Sequence, residues 1–185
     1  TEEGLNLTPK SVLVCSTGVI GHLMPMDKVE AGIPKLIENL SSDNSIDFAK
    51  AILTTDLAMK SLAVEIKTEK GTIRIGGACK GSGMIHPNMA TMLAFITTDI
   101  GLPIDFFAEF RANIDDSFNA ITVDGDTSTN DTCILLANGM SDIQYSDLSL
   151  SEQGEFRAAL TMLMQELAKS IVRDGEGATK LIEIR

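Results

Sequence analysis

Residues 80–98 read Lys-Gly-Ser-Gly-Met-Ile-His-Pro-Asn-Met-Ala-Thr-Met-Leu-Ala-Phe-Ile-Thr-Thr, a polar loop that runs directly into an apolar strand pattern. At the junction the small residue Ala90 precedes the hydroxyl residue Thr91. The Thr91 hydroxyl can attack the Ala90 carbonyl, form an ester and release the upstream piece to water. The new α-amine, with a pKa of about 8, can then serve as the base for its own hydroxyl. An Ala-Thr dipeptide alone predicts little, because Thr is also an ordinary strand residue, so the hypothesis depends on the rest of the chain.

The surrounding sequence mixes strand and helix patterns. Residues 63–67 and 72–75 alternate around Glu69-Lys70-Gly71, which predicts a hairpin. Further strands are predicted at 11–15, 91–96, 132–137 and 179–184, and helices at 26–40, 46–52, 103–121 and 151–172, the last with Ser151 as its N-cap. The 26–40 helix contains Pro34 and is expected to kink or break there. These patterns predict an α/β (α+β) chain with at least some antiparallel sheet.

Composition excludes several classes of protein. The 185 residues carry a net charge of −11, which leaves no basic stripe to neutralise nucleic-acid phosphates. Cys15, Cys79 and Cys133 are far apart and form no CxxC pair, so neither a metal site nor a disulfide framework is indicated, and a reducing compartment is expected. No apolar run is long enough to span a membrane. Both ends of the chain are expected to be cuts within a longer protein.

Three polar segments are candidates for a site. Thr17-Gly18 ends a predicted strand, where a hydroxyl and an amide N–H can hold an oxyanion. The loop 124–131 alternates oxygen donors like a calcium loop but lacks the required Gly and Glu, which leaves a tight polar turn or a cleft-lining loop as open alternatives. Glu176 stands between two glycines after the long helix and can bind an ammonium group. The glycines at 76–83 fit no phosphate-loop motif.

Six segments together resemble the ornithine acetyltransferase family, also called glutamate N-acetyltransferase. They are Ser-Thr-Gly-Val-Ile-Gly at 16–21, Thr-Thr-Asp at 54–56, Lys-Gly-Ser-Gly-Met-Ile-His-Pro at 80–87, Met-Ala-Thr-Met-Leu at 89–93, the loop 124–131, and Asp-Gly-Glu-Gly-Ala-Thr-Lys at 174–180. They follow one another in order over nearly the whole chain. The resemblance implies a layered αββα sandwich with mixed or antiparallel sheets, as in self-processing aminopeptidase-like proteins.

The resemblance also implies a domain organisation. Residues 1–185 would belong to one catalytic domain whose precursor cuts itself between Ala90 and Thr91. Residues 1–90 would then be part of an α chain and residues 91–185 part of a β chain, with the C-terminal part of the β chain missing here. Two copies of each chain are expected to form a heterotetramer.

The implied activity is transfer of an acetyl group from N2-acetylornithine to glutamate in arginine biosynthesis, in ping-pong order through an acetyl-Thr91 ester. The resemblance makes Thr91 the nucleophile and Thr17 and Gly18 the oxyanion-stabilising pair. The substrate-contacting positions it implies are Thr54, Lys80, Thr91 and Glu176. Lys80 suits a substrate carboxylate and Glu176 an ammonium group. The family also uses an Asn and a Thr near its C-terminus, which this chain does not reach.

Three alternatives stay open. A self-processing aminopeptidase or amidase of the same fold would pass the acyl group to water, and a non-enzymatic acidic domain would leave the Ala90–Thr91 bond intact. A paralogue in secondary metabolism would accept other acceptors. No cofactor, metal, nucleic acid or membrane is expected; acetyl-CoA is a further candidate donor. A cytoplasmic location is expected, or an organellar one in a eukaryote.

Overall fold

The computed structural model describes residues 1–86 and 92–184 and is built around one four-stranded sheet. The strands, in chain order, are β1 (Lys60–Thr68), β2 (Gly71–Lys80), β3 (Leu93–Thr98) and β4 (Thr132–Ala137). The helices are α1 (Glu2–Leu5), α2 (Met26–Glu38), α3 (Ser45–Ala51), α4 (Phe107–Asp115) and α5 (Leu150–Arg173). The sheet order is β1-β2-β3-β4, with β1, β2 and β3 antiparallel and β4 parallel to β3. The predicted α/β class with a mixed sheet is therefore confirmed.

The β1–β2 hairpin forms where alternation around Glu69-Lys70-Gly71 predicts it. Its turn is closed by the Thr68 hydroxyl, which donates to the Gly71 carbonyl at 2.7 Å. Gly71 has a φ of 142°, a backbone conformation that a side chain disfavours. Ile66 pairs with Ile73, and both face the core. Alternation places the even-numbered residues of β2, including Lys80, on the opposite face of the sheet.

Helix α5 covers one face of this sheet. Its N-cap is Ser149, whose hydroxyl accepts from the Glu152 amide in a capping box, so the predicted cap at Ser151 is wrong by half a turn. A stripe of its side chains is buried against β1 and β2: Phe156, Leu160, Leu163, Leu167 and Ile171. A Cβ at Gly77 would lie 2.7 Å from Leu167 Cδ1, so a side chain at this position would displace core side chains between α5 and the sheet.

Two predicted helices differ in detail. The 103–121 region divides into a 3-10 turn at Ile104–Phe106, helix α4, and a second 3-10 turn at Phe118–Ala120. Ser117 ends the α-helical part because its hydroxyl donates to the Asn113 carbonyl at 2.5 Å, and hydroxyl side chains of this kind compete with the helical ladder. Of the predicted kink or break at Pro34, the break is wrong, because helix α2 is continuous through this residue.

Two predicted strands do not form. Residues 11–15 are irregular, with Leu13 66% and Val14 89% exposed, and residues 179–184 are irregular with Ile184 exposed. An apolar alternation becomes a strand only beside a partner, because the backbone N–H and C=O groups need a ladder. Within residues 1–86 and 92–184 no strand pairs with either segment.

The other face of the sheet is only partly covered. Phe48 of α3 packs edge-on against Phe95 of β3 with ring centroids 5.1 Å apart. Beside this contact lies an open cavity of about 1060 Å³ lined by Ala78, Gly76 and neighbouring residues. The second sheet of the expected αββα sandwich is not among the described residues. In the part of the chain that the structure describes, no helix is both long enough and apolar enough to cross a membrane.

Candidate active site

The site-bearing segments meet at one edge of the sheet, where β2 ends and β3 and β4 begin. Lys80 pairs with Leu93 across the β2–β3 ladder, and Leu93 pairs with Thr132 of β4. The expected cleavage site, Ala90 and Thr91, lies outside the described residues. Thr91 is nevertheless bonded to Met92, and the contacts of Met92 are described.

Lys80 is a buried cation at this edge. It is the last residue of β2, a strand paired on both sides, and is only 2% exposed. Burial lowers the pKa of Lys80, as does the neighbouring charge of Lys60, whereas the carboxylates of Asp56 and Asp131 act in the opposite direction. The charge of a buried ammonium group is already balanced when two carboxylates lie close to it. Such a group binds a further anion only where the surrounding protein is preorganised to hold that anion.

Asp131 fixes the residue that follows Thr91. Its Oδ1 accepts from the Met92 amide at 2.7 Å, and the Met92 carbonyl accepts from the Thr132 amide at 3.0 Å. Burial raises the pKa of Asp131 to about 6, against the opposing effects of the Met92 amide and of Lys80. Asp131 therefore places a carboxyl group with a raised pKa beside the start of β3.

The loop 124–131, of which Asp131 is the last residue, also holds two other segments. Asp124 accepts from the Ile85 amide at 2.9 Å and from the Met84 amide at 2.5 Å, which ties the loop to the segment after Lys80. Asn130 Nδ2 donates to the Ser16 carbonyl at 2.5 Å. Contacts with three separate segments favour a cleft-lining loop over a simple polar turn.

The hydrogen bond from Asn130 to Ser16 holds Thr17 and Gly18 in this region. They directly follow Ser16, Thr17 is half-buried and Gly18 is exposed. A Cβ at Gly18 would meet no atom within 4 Å among the described residues, so the segment presents open backbone. It is irregular, not a strand end as predicted, and its position depends on the Asn130 contact.

Thr54 is held by Asp56. The Thr54 amide donates to Asp56 Oδ2 at 3.1 Å, while Asp56 Oδ1 accepts from the Gly81 amide at 2.7 Å. Since Gly81 follows Lys80, one carboxylate joins two of the substrate-contacting positions that the resemblance implies. Thr54 itself is exposed.

Glu176 lies on the other side of the segment that follows β2. Its amide donates to the Ser82 carbonyl at 2.6 Å, and its side chain is exposed. A Cβ at Gly83 would lie 2.6 Å from Glu176 Oε2, so the carboxylate packs directly on a bare backbone. The structure therefore brings Glu176 next to the Lys80–Gly83 segment.

Sequence reasoning missed the residues that hold these segments together. Asp56 stood inside a quoted motif and Asp131 at the end of a quoted loop, but neither was given a role. Asp174 likewise began a quoted motif without being given a role. Lys60 carried no signal, because a lysine at the start of a strand is ordinarily solvent-exposed. Within residues 1–86 and 92–184, no group of three or more His, Cys, Asp or Glu side chains could hold a metal ion.

Comparisons with known proteins identify what the chain is similar to. The family model described as "ArgJ family" matches residues 1–185. The chain is 50% identical over 186 residues to "Arginine biosynthesis bifunctional protein ArgJ" of Dehalococcoides mccartyi, covering 100% of this chain and 45% of that protein. It is 50% identical over 185 residues to the protein of the same name from Streptococcus mutans, covering 100% of this chain and 46% of that protein.

A plant relative and a solved structure extend the comparison. "Arginine biosynthesis bifunctional protein ArgJ, chloroplastic" of Citrullus lanatus is 50% identical over 186 residues, covering 97% of this chain and 40% of that protein. A crystal structure of the arginine biosynthesis bifunctional protein argJ from Bacillus halodurans is 40% identical, with a TM-score of 0.42, covering 46% of this chain and 41% of that chain. The chain thus spans about half the length of the curated relatives it matches or less.

Proposed function

Because the chain belongs to the ArgJ family, we propose that the protein containing it is an acyltransferase of arginine biosynthesis that moves the acetyl group of N2-acetylornithine to glutamate. The family match confirms the resemblance drawn from the six sequence segments. The proposal includes self-cleavage between Ala90 and Thr91, which makes residues 1–90 part of an α chain and residues 91–185 part of a β chain. Two copies of each form the proposed assembly.

One observation carries the proposal: the convergence of polar groups, one of them the buried Lys80, where β3 begins. Asp131 binds the Met92 amide at 2.7 Å, Asn130 of the same loop binds the Ser16 carbonyl, and the buried Lys80 lies within electrostatic reach of Asp131. Hydrophobic packing alone does not require polar groups to converge on the residue that follows a Thr. A nucleophile, by contrast, needs its neighbours fixed before the reaction.

The proposed chemistry follows from the residue types. The Thr91 hydroxyl attacks the acetyl carbonyl, its proton passes to the free α-amine, and ornithine leaves as that amine returns the proton. The amine of glutamate then attacks the acetyl-Thr91 ester and restores the hydroxyl. Each half-reaction passes through an oxyanion, for which the Thr17 hydroxyl and Gly18 amide are the proposed donors.

The substrates have groups that match the proposed contacts. Both are amino acids with a carboxylate, for which Lys80 is the proposed partner, and ornithine carries a side-chain ammonium, for which Glu176 is the proposed partner. Thr54 completes the proposed set. The proposed location is the cytoplasm, or an organelle in a eukaryote, and the relative from Citrullus lanatus is named chloroplastic.

The first test is the intact mass of the full-length protein under denaturing conditions. We expect two species that sum to the uncut chain plus one water, with the junction at Ala90/Thr91. Thr91→Ala should abolish both cutting and transfer, whereas Thr91→Ser should retain part of each because a hydroxyl remains. Cutting in Thr91→Ala would contradict the mechanism.

A substrate assay separates transfer from hydrolysis. The cut protein is incubated with N2-acetylornithine, with and without glutamate, and acetylglutamate and free acetate are measured. Acetylglutamate formation supports the transferase, and acetate release alone would indicate an amidase. Replacing the donor by acetyl-CoA tests a second activity, which is of interest because the curated relatives are named bifunctional.

A further inference from the structure

Lys60 is a buried charge that the proposed chemistry does not use. Its side chain is 1% exposed, and its Nζ donates to Asp56 Oδ1 at 2.7 Å and to Asp174 Oδ2 at 2.6 Å. The third donor is directed to the Ala58 carbonyl at 3.1 Å. All three hydrogen-bond donors of the ammonium group are therefore satisfied by the protein.

The two carboxylates around Lys60 each bind backbone amides as well. Asp56 accepts from the Thr54 and Gly81 amides, at 3.1 and 2.7 Å. Asp174, which caps the end of α5, accepts from the amides of Leu57 and Ala58, at 3.0 and 3.2 Å. Although burial alone would raise them, the pKa of Asp56 and that of Asp174 are held below the ordinary value by hydrogen bonds from Lys60 and these amides.

The buried cluster of Lys60, Asp56 and Asp174 is not expected to add much to the free energy of unfolding. One cation and two carboxylates have been removed from water, and a well-packed apolar group of similar volume is often as stabilising as a buried ion pair. What the charges provide is a defined geometry, because the three donors of Lys60 and four backbone amides are each directed to a particular acceptor.

The Lys60 network connects three proposed substrate-binding positions: Thr54, Lys80 and Glu176. Asp56 binds the amide of Thr54 and the amide that follows Lys80, and Asp174 stands two residues before Glu176. Lys60 joins Asp56, four residues before it in the sequence, to Asp174, 114 residues after it. We propose that Lys60, through Asp56 and Asp174, is a positioning residue that sets the relative placement of Thr54, Lys80 and Glu176 for substrate binding. This inference rests on the proposed function.

The test is Lys60→Met in the full-length protein, which keeps the unbranched apolar part of the side chain and removes the charged ammonium group. We expect the KM for N2-acetylornithine to rise at least about tenfold while kcat stays within about threefold, because binding contacts are displaced and the nucleophile is not. Cutting at Ala90/Thr91, measured by intact mass, should remain complete. If Lys60→Met does not fold, Asp56→Asn is judged by the same criteria, since an amide provides only one of the two acceptor oxygens that Thr54 and Gly81 use.

Two matched variants separate positioning from general destabilisation. Lys169→Met makes the same chemical change at a partly exposed ion pair of α5, with Glu166 as its partner, and should leave KM unchanged. Ile73→Val removes one buried methylene from β2 without touching the network and should lower stability alone. A KM rise in Ile73→Val as large as that in Lys60→Met would overturn the positioning role.

Amide hydrogen exchange gives a readout that does not depend on activity. In Lys60→Met the amides of 54–58 and of Gly81 should exchange faster together, and in Lys169→Met they should not. Unchanged exchange, or a KM within about twofold of the wild-type value, would overturn the inference. If the wild type is uncut or transfers no acetyl group, the proposed function fails, and the exchange experiment still decides whether Lys60 holds the three segments together.

Discussion

The two ends of the β1–β2 hairpin each place a cation between two carboxylates, but they do so in opposite environments. At the turn end Arg74 contacts Glu65 at 3.2 Å and Asp99 at 3.7 Å, and its side chain is 63% exposed. At the other end the ammonium of Lys60 is buried between Asp56 and Asp174. An exposed pair contributes little and costs little, whereas buried charges need every hydrogen bond satisfied. Of these two charge clusters, the buried one, which needs every hydrogen bond satisfied, therefore lies at the end of the hairpin that carries the candidate active site.

The largest contrast is expected between two lysines of the same hairpin, Lys80 at the site end and Lys67 near the turn. Lys80→Ala should raise the KM for N2-acetylornithine roughly 10- to 150-fold, because a charge-assisted hydrogen bond to a carboxylate contributes about 1.5–3 kcal/mol. Lys67→Ala, at an exposed position, should leave KM unchanged. Steady-state kinetics of both variants provide the measurement, and a normal KM in Lys80→Ala would refute its role.

A second contrast is expected in the pH dependence of stability, and it concerns Asp131. Its pKa of about 6 in the folded protein lies above its ordinary value of 3.8, so the folded state binds this proton more tightly than the unfolded state. Ionisation of Asp131 therefore lowers the free energy of unfolding as pH rises from its ordinary pKa of 3.8 to its folded-state pKa of about 6, and this loss of stability is complete above about pH 6. Asp131→Asn removes that loss, so relative to the wild type it should gain stability between about pH 4.5 and about pH 7.5.

Thermal unfolding of Asp131→Asn and the wild type at these two pH values measures the difference. A Tm difference between Asp131→Asn and wild type that is the same at both pH values would mean that burial does not raise the pKa of Asp131.

The sequence predicted the hairpin and α5 because both depend on local patterns. Alternation around Glu69-Lys70-Gly71 and the apolar stripe from Phe156 to Ile171 are complete within their own segments, and the structure confirms both. The strands predicted at 11–15 and 179–184 were wrong because a strand needs a partner, and local alternation does not reveal whether one is available.

The residues of the candidate site likewise divide into those that a local motif could reveal and those that depend on distant contacts. Thr17 and Glu176 were singled out from short motifs, and Thr54 and Lys80 through the family resemblance. The groups that bring their segments together were missed because their contacts join distant parts of the chain: Lys60 with Asp174, and Asn130 with Ser16, are each 114 residues apart. Such pairs follow from the fold and have no signature in the sequence around either residue.

A smaller effect is expected from Gly83→Ala at the site end. The new Cβ would stand 2.6 Å from Glu176 Oε2, and the end of this exposed side chain can move aside, so stability should change by less than about 1 kcal/mol. The displaced carboxylate should raise the KM for ornithine-containing substrate several-fold and leave the KM for glutamate unchanged. Gly154→Ala, where a Cβ meets no atom within 4 Å, is the control. Equal KM values for wild type and Gly83→Ala would remove the support for Glu176 as the ammonium partner.

The smallest effect is expected at the turn end, from Arg74→Ala. The guanidinium contacts with Glu65 and Asp99 are exposed to solvent, which screens them, so the free energy of unfolding should fall by no more than about 1 kcal/mol. The backbone contacts of Arg74 are retained, since its amide donates to Asp99 in any case. Urea unfolding of Arg74→Ala and of Glu65→Gln, which removes only one partner, provides the measurement. A loss above about 2 kcal/mol, as large as that expected for disrupting a buried pair, would show that exposure does not distinguish the two ends, and the argument that only the site end carries demanding charges would fail.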